Sequence, residues 1–87
     1  MKYAVISYWA VQVGDTRFWL YDTEKEAIEA LDRLWKKVYN SALKDESFDQ
    51  ENSYHNECFG VVAWIDGEER YFEVVKQTEK EEVTIMA

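Results

Sequence analysis

The clearest pattern in this sequence is DTEKEAIEALDRLWKKVYNSALK, residues 22–44, which has the spacing of an amphipathic helix. Thr23 followed three residues later by Glu26 is the capping-box arrangement that starts a helix, and Glu24 favours the positive end of the helix dipole. Apolar residues recur at the spacing of one helix face, at positions 27, 28, 31, 34, 35, 38 and 42. The pattern predicts a helix over residues 23–44.

A strand-rich segment precedes this helix. Residues 2–21 contain two runs of β-branched and aromatic residues, and Gly14-Asp15 between them suits a type II′ turn. Together these features predict a hairpin over residues 2–21. In the register of a two-residue turn, Trp9 faces Leu20 across the hairpin.

A second strand-rich segment, residues 58–76, lies on the other side of the helix. It has the same composition as the first and contains Asp66-Gly67, which suits a type I′ turn. A second hairpin with a two-residue turn is therefore predicted. Shifting that turn by one residue, to Gly67-Glu68, would leave the same side chains on the same faces.

The remaining segments are polar. Residues 45–57, DESFDQENSYHNE, are acidic and without periodicity, which predicts a loop that is either mobile or functional. The charged tail, residues 77–87, either frays or adds residues 83–86, VTIM, as a short edge strand. The predicted fold is α+β: a single domain of 87 residues in ββαββ order, with one helix on one face of a mostly antiparallel four-stranded sheet.

The alternation of side chains along the strands puts aromatic residues on both faces of this sheet. The face under the helix is expected to hold Trp9, Val11, Phe18, Leu20, Val61, Phe72 and Val74. The opposite face is expected to hold Ile6, Tyr8, Ala10, Trp19, Tyr21, Val62, Trp64 and Tyr71. Such an apolar and aromatic patch is larger than monomers usually expose, and tyrosine and tryptophan are enriched in interface cores. We expect it to be covered by a partner protein, by a second copy of the chain, or by the loop or the tail.

The net charge of −8 is concentrated in the second half of the chain. Residues 1–44 hold six acidic and seven basic residues, whereas residues 45–87 hold twelve acidic and three basic ones. This balance disfavours direct binding to nucleic acid or to an anionic membrane, because both need lysine and arginine. It suits either a protein partner with a basic surface or simply solubility.

The residues expected to contact a partner combine the aromatic patch with carboxylates of the acidic half. They are Tyr8, Trp19, Tyr21, Trp64, Tyr71, Glu68, Glu69, Glu73, Asp49 and Glu51.

His55 and Cys58 are the residues that come closest to a reactive or metal-binding pair. A structural zinc site needs four ligands, which Asp49, Glu51 and Glu57 would have to complete. A nucleophile pair would need the two side chains to meet beside an oxyanion hole, and a cysteine that starts a strand is more often a small buried hydrophobe. The sequence contains neither a glycine-rich phosphate loop nor a nucleophile elbow. We therefore expect no enzyme activity, no metal and no cofactor.

Cysteine content and hydropathy bear on the compartment. Cys58 is the only cysteine, so an internal disulfide is excluded. No apolar run approaches the roughly 20 residues that a membrane helix needs. A cytoplasmic protein is expected.

Carboxylates beside aromatic side chains are able to imitate nucleic acid, by presenting negative charge where a basic groove expects phosphates. In size, acidity and low cysteine content the chain resembles small phage inhibitors, including anti-CRISPR proteins. This resemblance implies an inhibitor from a phage or mobile element that occupies a basic, nucleic-acid-binding surface on a host defence protein. The alternatives are a homodimeric structural or small-ligand-binding module that associates through the aromatic face, and, more distantly, an enzyme that uses His55 and Cys58.

Overall fold

One helix and five strands make up the part of the chain that the computed structural model describes, residues 2–10 and 15–76. In chain order they are β1 (Tyr3–Trp9), β2 (Arg17–Tyr21), α1 (Glu24–Ala42), β3 (Phe48–His55), β4 (Phe59–Trp64) and β5 (Glu69–Lys76). The strands form one antiparallel sheet in the order β2-β1-β5-β4-β3. The predicted α+β class is confirmed, with one strand more than expected and therefore ββαβββ order. The predictions for Val11, for Gly14 and for the tail at 77–87 lie outside the described residues.

Helix α1 begins where its capping box predicts. The Thr23 hydroxyl accepts a hydrogen bond from the Glu26 N–H, and the Glu26 carboxylate accepts one from the Thr23 N–H, each at 3.2 Å. The apolar side of the helix packs on one face of the sheet and forms the core with it. The buried core residues are Val5, Ala27, Ala30, Leu31, Trp35, Ala42, Val62 and Phe72. Among the described residues, no helix is long and apolar enough to cross a membrane.

The prediction of a loop over residues 45–57 is wrong for its central part, because Phe48–His55 forms the edge strand β3. Its register against β4 shifts between Asp49 and Tyr54, which marks a bulge. The hydroxyl of Ser53 stabilises the bulge by accepting a hydrogen bond from the Ala63 N–H at 2.9 Å and donating one to the Asp49 carbonyl at 2.8 Å. A polar, bulged edge strand has the composition of a loop, so periodicity does not reveal it.

The predicted register of the first hairpin is also wrong. Val5 pairs with Trp19 and Ser7 with Arg17, so that β1, which ends at Trp9, extends beyond the start of β2 at Arg17. Trp9, expected to face Leu20, pairs instead with Arg70 of β5.

The second hairpin has a longer connection than predicted. The Trp64 N–H donates to the Glu68 carbonyl at 2.9 Å, the Gly67 N–H donates to the Trp64 carbonyl at 3.1 Å, and Gly67 has a φ of +97°. This is a three-residue loop over 65–67, with glycine at the position that requires a positive φ. The additional residue inverts β5 relative to the predicted pairing with β4.

These registers redistribute the aromatic residues between the two faces. The face under α1 carries Tyr3, Val5, Ser7, Trp9, Arg17, Trp19, Tyr21, Gly60, Val62, Trp64, Arg70, Phe72 and Val74. The opposite face, called here the helix-free face, carries Ala4, Ile6, Tyr8, Phe18, Leu20, Asp49, Tyr54, Phe59, Val61, Ala63, Glu69, Tyr71, Glu73 and Val75. The helix-free placement expected for Trp19, Tyr21, Val62 and Trp64 is therefore wrong, as is the helix-covered placement expected for Phe18, Leu20 and Val61. Ala10 lies beyond the end of β1, where its N–H donates to the Glu69 carbonyl at 2.8 Å.

Candidate functional site

Aromatic rings cross the helix-free face as a continuous ladder over β1, β5, β4 and β3. The ring centroids of Tyr8 and Tyr71 are 5.3 Å apart, and those of Tyr71 and Phe59 are 5.8 Å apart. Tyr54 continues the ladder at 6.4 Å from Phe59. Val61, which pairs with Tyr71 on one side and Tyr54 on the other, is buried on the same face. The rings of the ladder are half-buried, except that of Tyr54, which is exposed.

Carboxylates are fixed along this ladder. The Tyr8 hydroxyl donates a hydrogen bond to the Glu73 carboxylate, and the Tyr71 hydroxyl donates one to the Glu69 carboxylate. The bond to Glu73 is the main reason why the pKa of Tyr8 is raised to about 12, and the bond to Glu69 likewise raises the pKa of Tyr71. Asp49 is a third carboxylate on this face, and none of the described residues that strand pairing places on it is lysine or arginine.

Exposed apolar side chains lie at the opposite end of the same face. Phe18 is 64% exposed, and Leu20 and Val75 are exposed on either side of the small residue Ala4 in one cross-strand row. The helix-free face thus has exposed apolar side chains toward β2, and carboxylates on the central strand β5 and on the edge strand β3. Exposed apolar and aromatic area beside polar groups is typical of a protein-binding surface.

The structure separates the residues predicted to bind a partner. Those on the helix-free face are Tyr8, Asp49, Glu69, Tyr71 and Glu73. Trp19, Tyr21 and Trp64 lie under the helix, and Glu68 lies beside the Trp64 backbone at the hairpin end. Glu51 is exposed within the bulge of β3, where strand pairing assigns it to neither face. Sequence reasoning missed Phe18, Leu20, Tyr54 and Phe59 because it placed them on the wrong face or in no predicted surface.

His55 and Cys58 do not assemble into a nucleophile pair. The His55 Nε2 lies 2.7 Å from the Asp32 carboxylate, and its ring stacks on Trp35 with centroids 4.3 Å apart. The contact with His55 is the largest of those that lower the pKa of Asp32. The Cys58 thiol is exposed and makes no contact with His55 within the described part of the chain. These contacts attach β3 to the helix, and the described residues hold no group of three or more histidine, cysteine or acidic side chains placed to bind a metal ion.

A cavity of about 460 Å³ opens on the helix-covered face, between the second half of α1 and the sheet. Arg70, which is only 7% exposed, lines it together with Trp9, Trp19 and Trp64. Burial lowers the pKa of the Arg70 guanidinium, and the nearby Asp15 carboxylate opposes this effect. The sequence gives one weak signal for this site, an isolated arginine within the strand pattern of an acidic segment.

Comparison with known proteins gives no match: no family model, no curated protein and no solved structure is similar to this chain. Its function is therefore inferred from the chemistry of its own surfaces.

Proposed function

We propose that this protein is a non-enzymatic interaction protein that binds a partner with a basic surface through its helix-free face. The observation that carries the proposal is the combination, on one sheet face, of an aromatic ladder, exposed Phe18 and Leu20, and carboxylates with no lysine or arginine among the described strand residues of that face. Burial of the apolar and aromatic side chains would supply binding energy, and the negative carboxylates would favour a partner with basic residues.

The chemistry of the ladder suits arginine in particular. Glu69 and Glu73 each accept one hydrogen bond from a tyrosine, which leaves further acceptor positions on each carboxylate. A guanidinium fork is able to bind these positions while it stacks on the neighbouring ring of Tyr8 or Tyr71. A partner with arginine residues set among apolar residues is therefore the best complement.

The narrower form of the proposal is an anti-CRISPR-like inhibitor from a phage or mobile element. Surfaces that bind nucleic acid present arginine and lysine to phosphates, and a protein that occupies such a surface would compete with the nucleic acid. This form is supported by the acidic second half of the sequence. It predicts competition with the partner's DNA or RNA while the protein itself binds neither.

The test is a selection from a displayed library of random peptides, with the intact protein as bait, followed by titration of the recovered peptides. We expect the recovered peptides to be enriched in arginine beside aromatic or aliphatic residues. The double variant Glu69→Gln/Glu73→Gln should bind them about tenfold or more weakly, the effect of losing charge-assisted hydrogen bonds. Glu46→Gln, which removes an exposed carboxylate from the turn before β3, is the matched control and should leave the affinity unchanged.

Two results would reject the proposal. One is a set of recovered peptides without basic enrichment, or with affinity that Glu69 and Glu73 do not influence. The other is a wild-type dimer in light scattering that Phe18→Glu converts into a monomer, which would assign the face to a second copy of the chain. Electrostatic recognition is measured separately, by the association rate, which should fall as salt rises.

A further inference from the structure

Arg70 is a cation held inside the protein, in the wall of the 460 Å³ cavity. Its Nε donates to the hydroxyl of buried Ser7 at 2.7 Å, and its Nη1 donates to the carbonyl and the carboxylate of Asp15 at 3.1 and 3.3 Å. The guanidinium carbon also lies 5.1 Å from the centroid of the Trp9 ring. These contacts from three sides fix the orientation of the guanidinium.

The second terminal nitrogen of Arg70, Nη2, has no hydrogen-bond partner among the described residues. Within the same residues, no buried side-chain nitrogen or oxygen lacks a partner. Nη2 is therefore not completely buried, and because Arg70 lines the cavity, the guanidinium in its wall retains donors that the described residues do not use.

The cavity is locally positive on a strongly acidic protein. Its charged lining residues are Arg17, Lys37 and Arg70 against Asp15 and Asp45. The Asp15 carboxylate forms ion pairs with both Arg70, at 3.3 Å, and Arg17, at 3.4 Å. Lys37 has no carboxylate partner in the described part of the chain. One positive charge therefore remains unbalanced, which matches a ligand with a single negative charge.

The rest of the lining is aromatic and aliphatic. Trp9 and Trp64 lie with ring centroids 5.4 Å apart and planes tilted by 40°, and Trp19 adds a third indole. Leu34 and Val38 of α1 form the facing wall. Flat rings opposite aliphatic side chains suit a planar apolar body, and the volume lies within the range of about 300–1,000 Å³ that small-molecule sites occupy.

We propose that this cavity binds a small aromatic carboxylate. The carboxylate accepts hydrogen bonds from Arg70 Nη2 and Lys37, and the ring lies between the indoles and the helix. A dianionic phosphate fits less well, because Asp15 and Asp45 also line the cavity. The inference is independent of the function proposed for the helix-free face, since the two sites lie on opposite sides of the sheet.

The test is a titration of the intact ¹⁵N-labelled protein with 2-naphthoate, followed by NMR. The matched probes are 2-naphthamide and 2-naphthylmethylamine, which carry the same ring with a neutral and a cationic group. The indole N–H resonances of Trp9, Trp19 and Trp64 should shift, whereas that of Trp35, which donates to the Val61 carbonyl in the core, should not. The carboxylate should bind about tenfold or more tightly than the amide, the effect of one charge-assisted hydrogen bond.

Two adjacent lysines provide a matched pair of variants. Lys37 lines the cavity, whereas Lys36 pairs with Asp32 at 3.0 Å away from it. Lys37→Gln should weaken 2-naphthoate binding several-fold, and Lys36→Gln should not. Arg70→Lys keeps the buried charge but loses the fork, so it should weaken binding further; if this variant does not fold, the lysine pair and the three probes decide the question.

Three outcomes would overturn the inference. They are equal affinity for the acid and the amide, shifts on the helix-free face instead of at the three indoles, and no shift with millimolar 2-naphthoate. None of them would bear on the peptide selection that tests the helix-free face, because that experiment uses other residues and another class of ligand.

Discussion

At Gly60 the Trp35 side chain of the helix lies directly against the backbone of strand β4. A Cβ at this residue would lie 2.7 Å from Cδ1 of Trp35 and 3.0 Å from Cβ of His55. The Trp35 indole donates to the Val61 carbonyl at 3.0 Å, so the ring is unable to withdraw without losing that bond. Glycine is therefore required here by close approach, whereas at Gly67 it is required by backbone conformation, with open space around the Cα.

Gly60→Ala should lower the free energy of unfolding by about 1–3 kcal/mol, because the additional methyl group forces Trp35 or the strand to move. Urea denaturation of the wild type and the variant measures this change. In the background of Trp35→Leu the same substitution should cost less, because the ring that it meets is gone. An equal cost in both backgrounds would show that Trp35 is not the group that excludes the side chain.

The hydrogen bond between Tyr8 and Glu73 should be visible in alkali. The pKa of Tyr8 is raised from 10.0 to about 12, so the folded state holds the phenol proton more tightly than the unfolded state does. The stabilisation is therefore complete below pH 10.0 and is lost as the pH rises through about 12. Tyr8→Phe should remove the last phase of the tyrosinate absorbance titration, and Glu73→Gln should move that phase to lower pH. A titration that neither variant alters would contradict the contact.

At the scale of elements, α1 depends on a local signal. The Thr23 hydroxyl accepts a hydrogen bond from the first turn, and the Glu26 side chain returns one to the Thr23 N–H. Thr23→Ala should therefore lower the free energy of unfolding by about 1 kcal/mol in thermal or urea denaturation, and Thr23→Ser should restore most of it. Thr16→Ala, at an exposed threonine outside the helix, is the control and should have little effect. Equal losses in the two alanine variants would exclude a specific cap.

The helix was predictable from the sequence because all its signals lie within one segment. The strand registers were not, because each depends on the conformation of a connection. One additional residue in the loop at 65–67 inverts β5 against β4, and the register of β1 against β2 exchanges the faces expected for Phe18 and Trp19. Strand β3 was not predicted because a polar edge strand does not alternate between apolar and polar residues.

At the scale of the whole molecule, each site was predictable only as far as its residues lie close together along the chain. Glu69, Tyr71 and Glu73 alternate along one strand, so their common face follows from the local sequence. Their contact with Tyr8 does not, because it requires β1 and β5 to be neighbours. The cavity at Arg70 was not predicted, since its indoles come from three different strands and converge only in the folded sheet.

Three aspartates have lowered pKa values, and this predicts how the stability of the molecule changes in acid. Asp15 accepts a hydrogen bond from the Trp9 indole, Asp32 contacts His55, and Asp45 accepts hydrogen bonds from Ser47. These contacts lower the pKa of each carboxyl below 3.8, so the folded state binds these protons more weakly than the unfolded state does. Their stabilisation is present above 3.8 and is lost as the pH falls through the lower folded values.

The triple variant Asp15→Asn/Asp32→Asn/Asp45→Asn should therefore be less stable than the wild type at neutral pH. Its melting temperature should also fall less than that of the wild type as the pH drops below about 4, because the carboxyls that the wild type must protonate are absent. Calorimetry of both proteins across this range makes the comparison. Parallel curves would show that other groups govern unfolding in acid.

Strand β5 joins what would otherwise be two separate pieces of the sheet, β1 with β2 and β4 with β3. Its neighbour β1 lies at the other end of the described chain, so Tyr3 meets Lys76 and Trp9 meets Arg70. During synthesis, the first hairpin and the helix leave the ribosome well before residues 69–76 and must wait without the strand that closes their sheet. Pairing over so long a sequence separation slows folding and prolongs the exposure of open strand edges. The nascent chain thus cannot complete its sheet until β5 has been synthesised. Its need for chaperones should therefore last until that strand emerges from the ribosome.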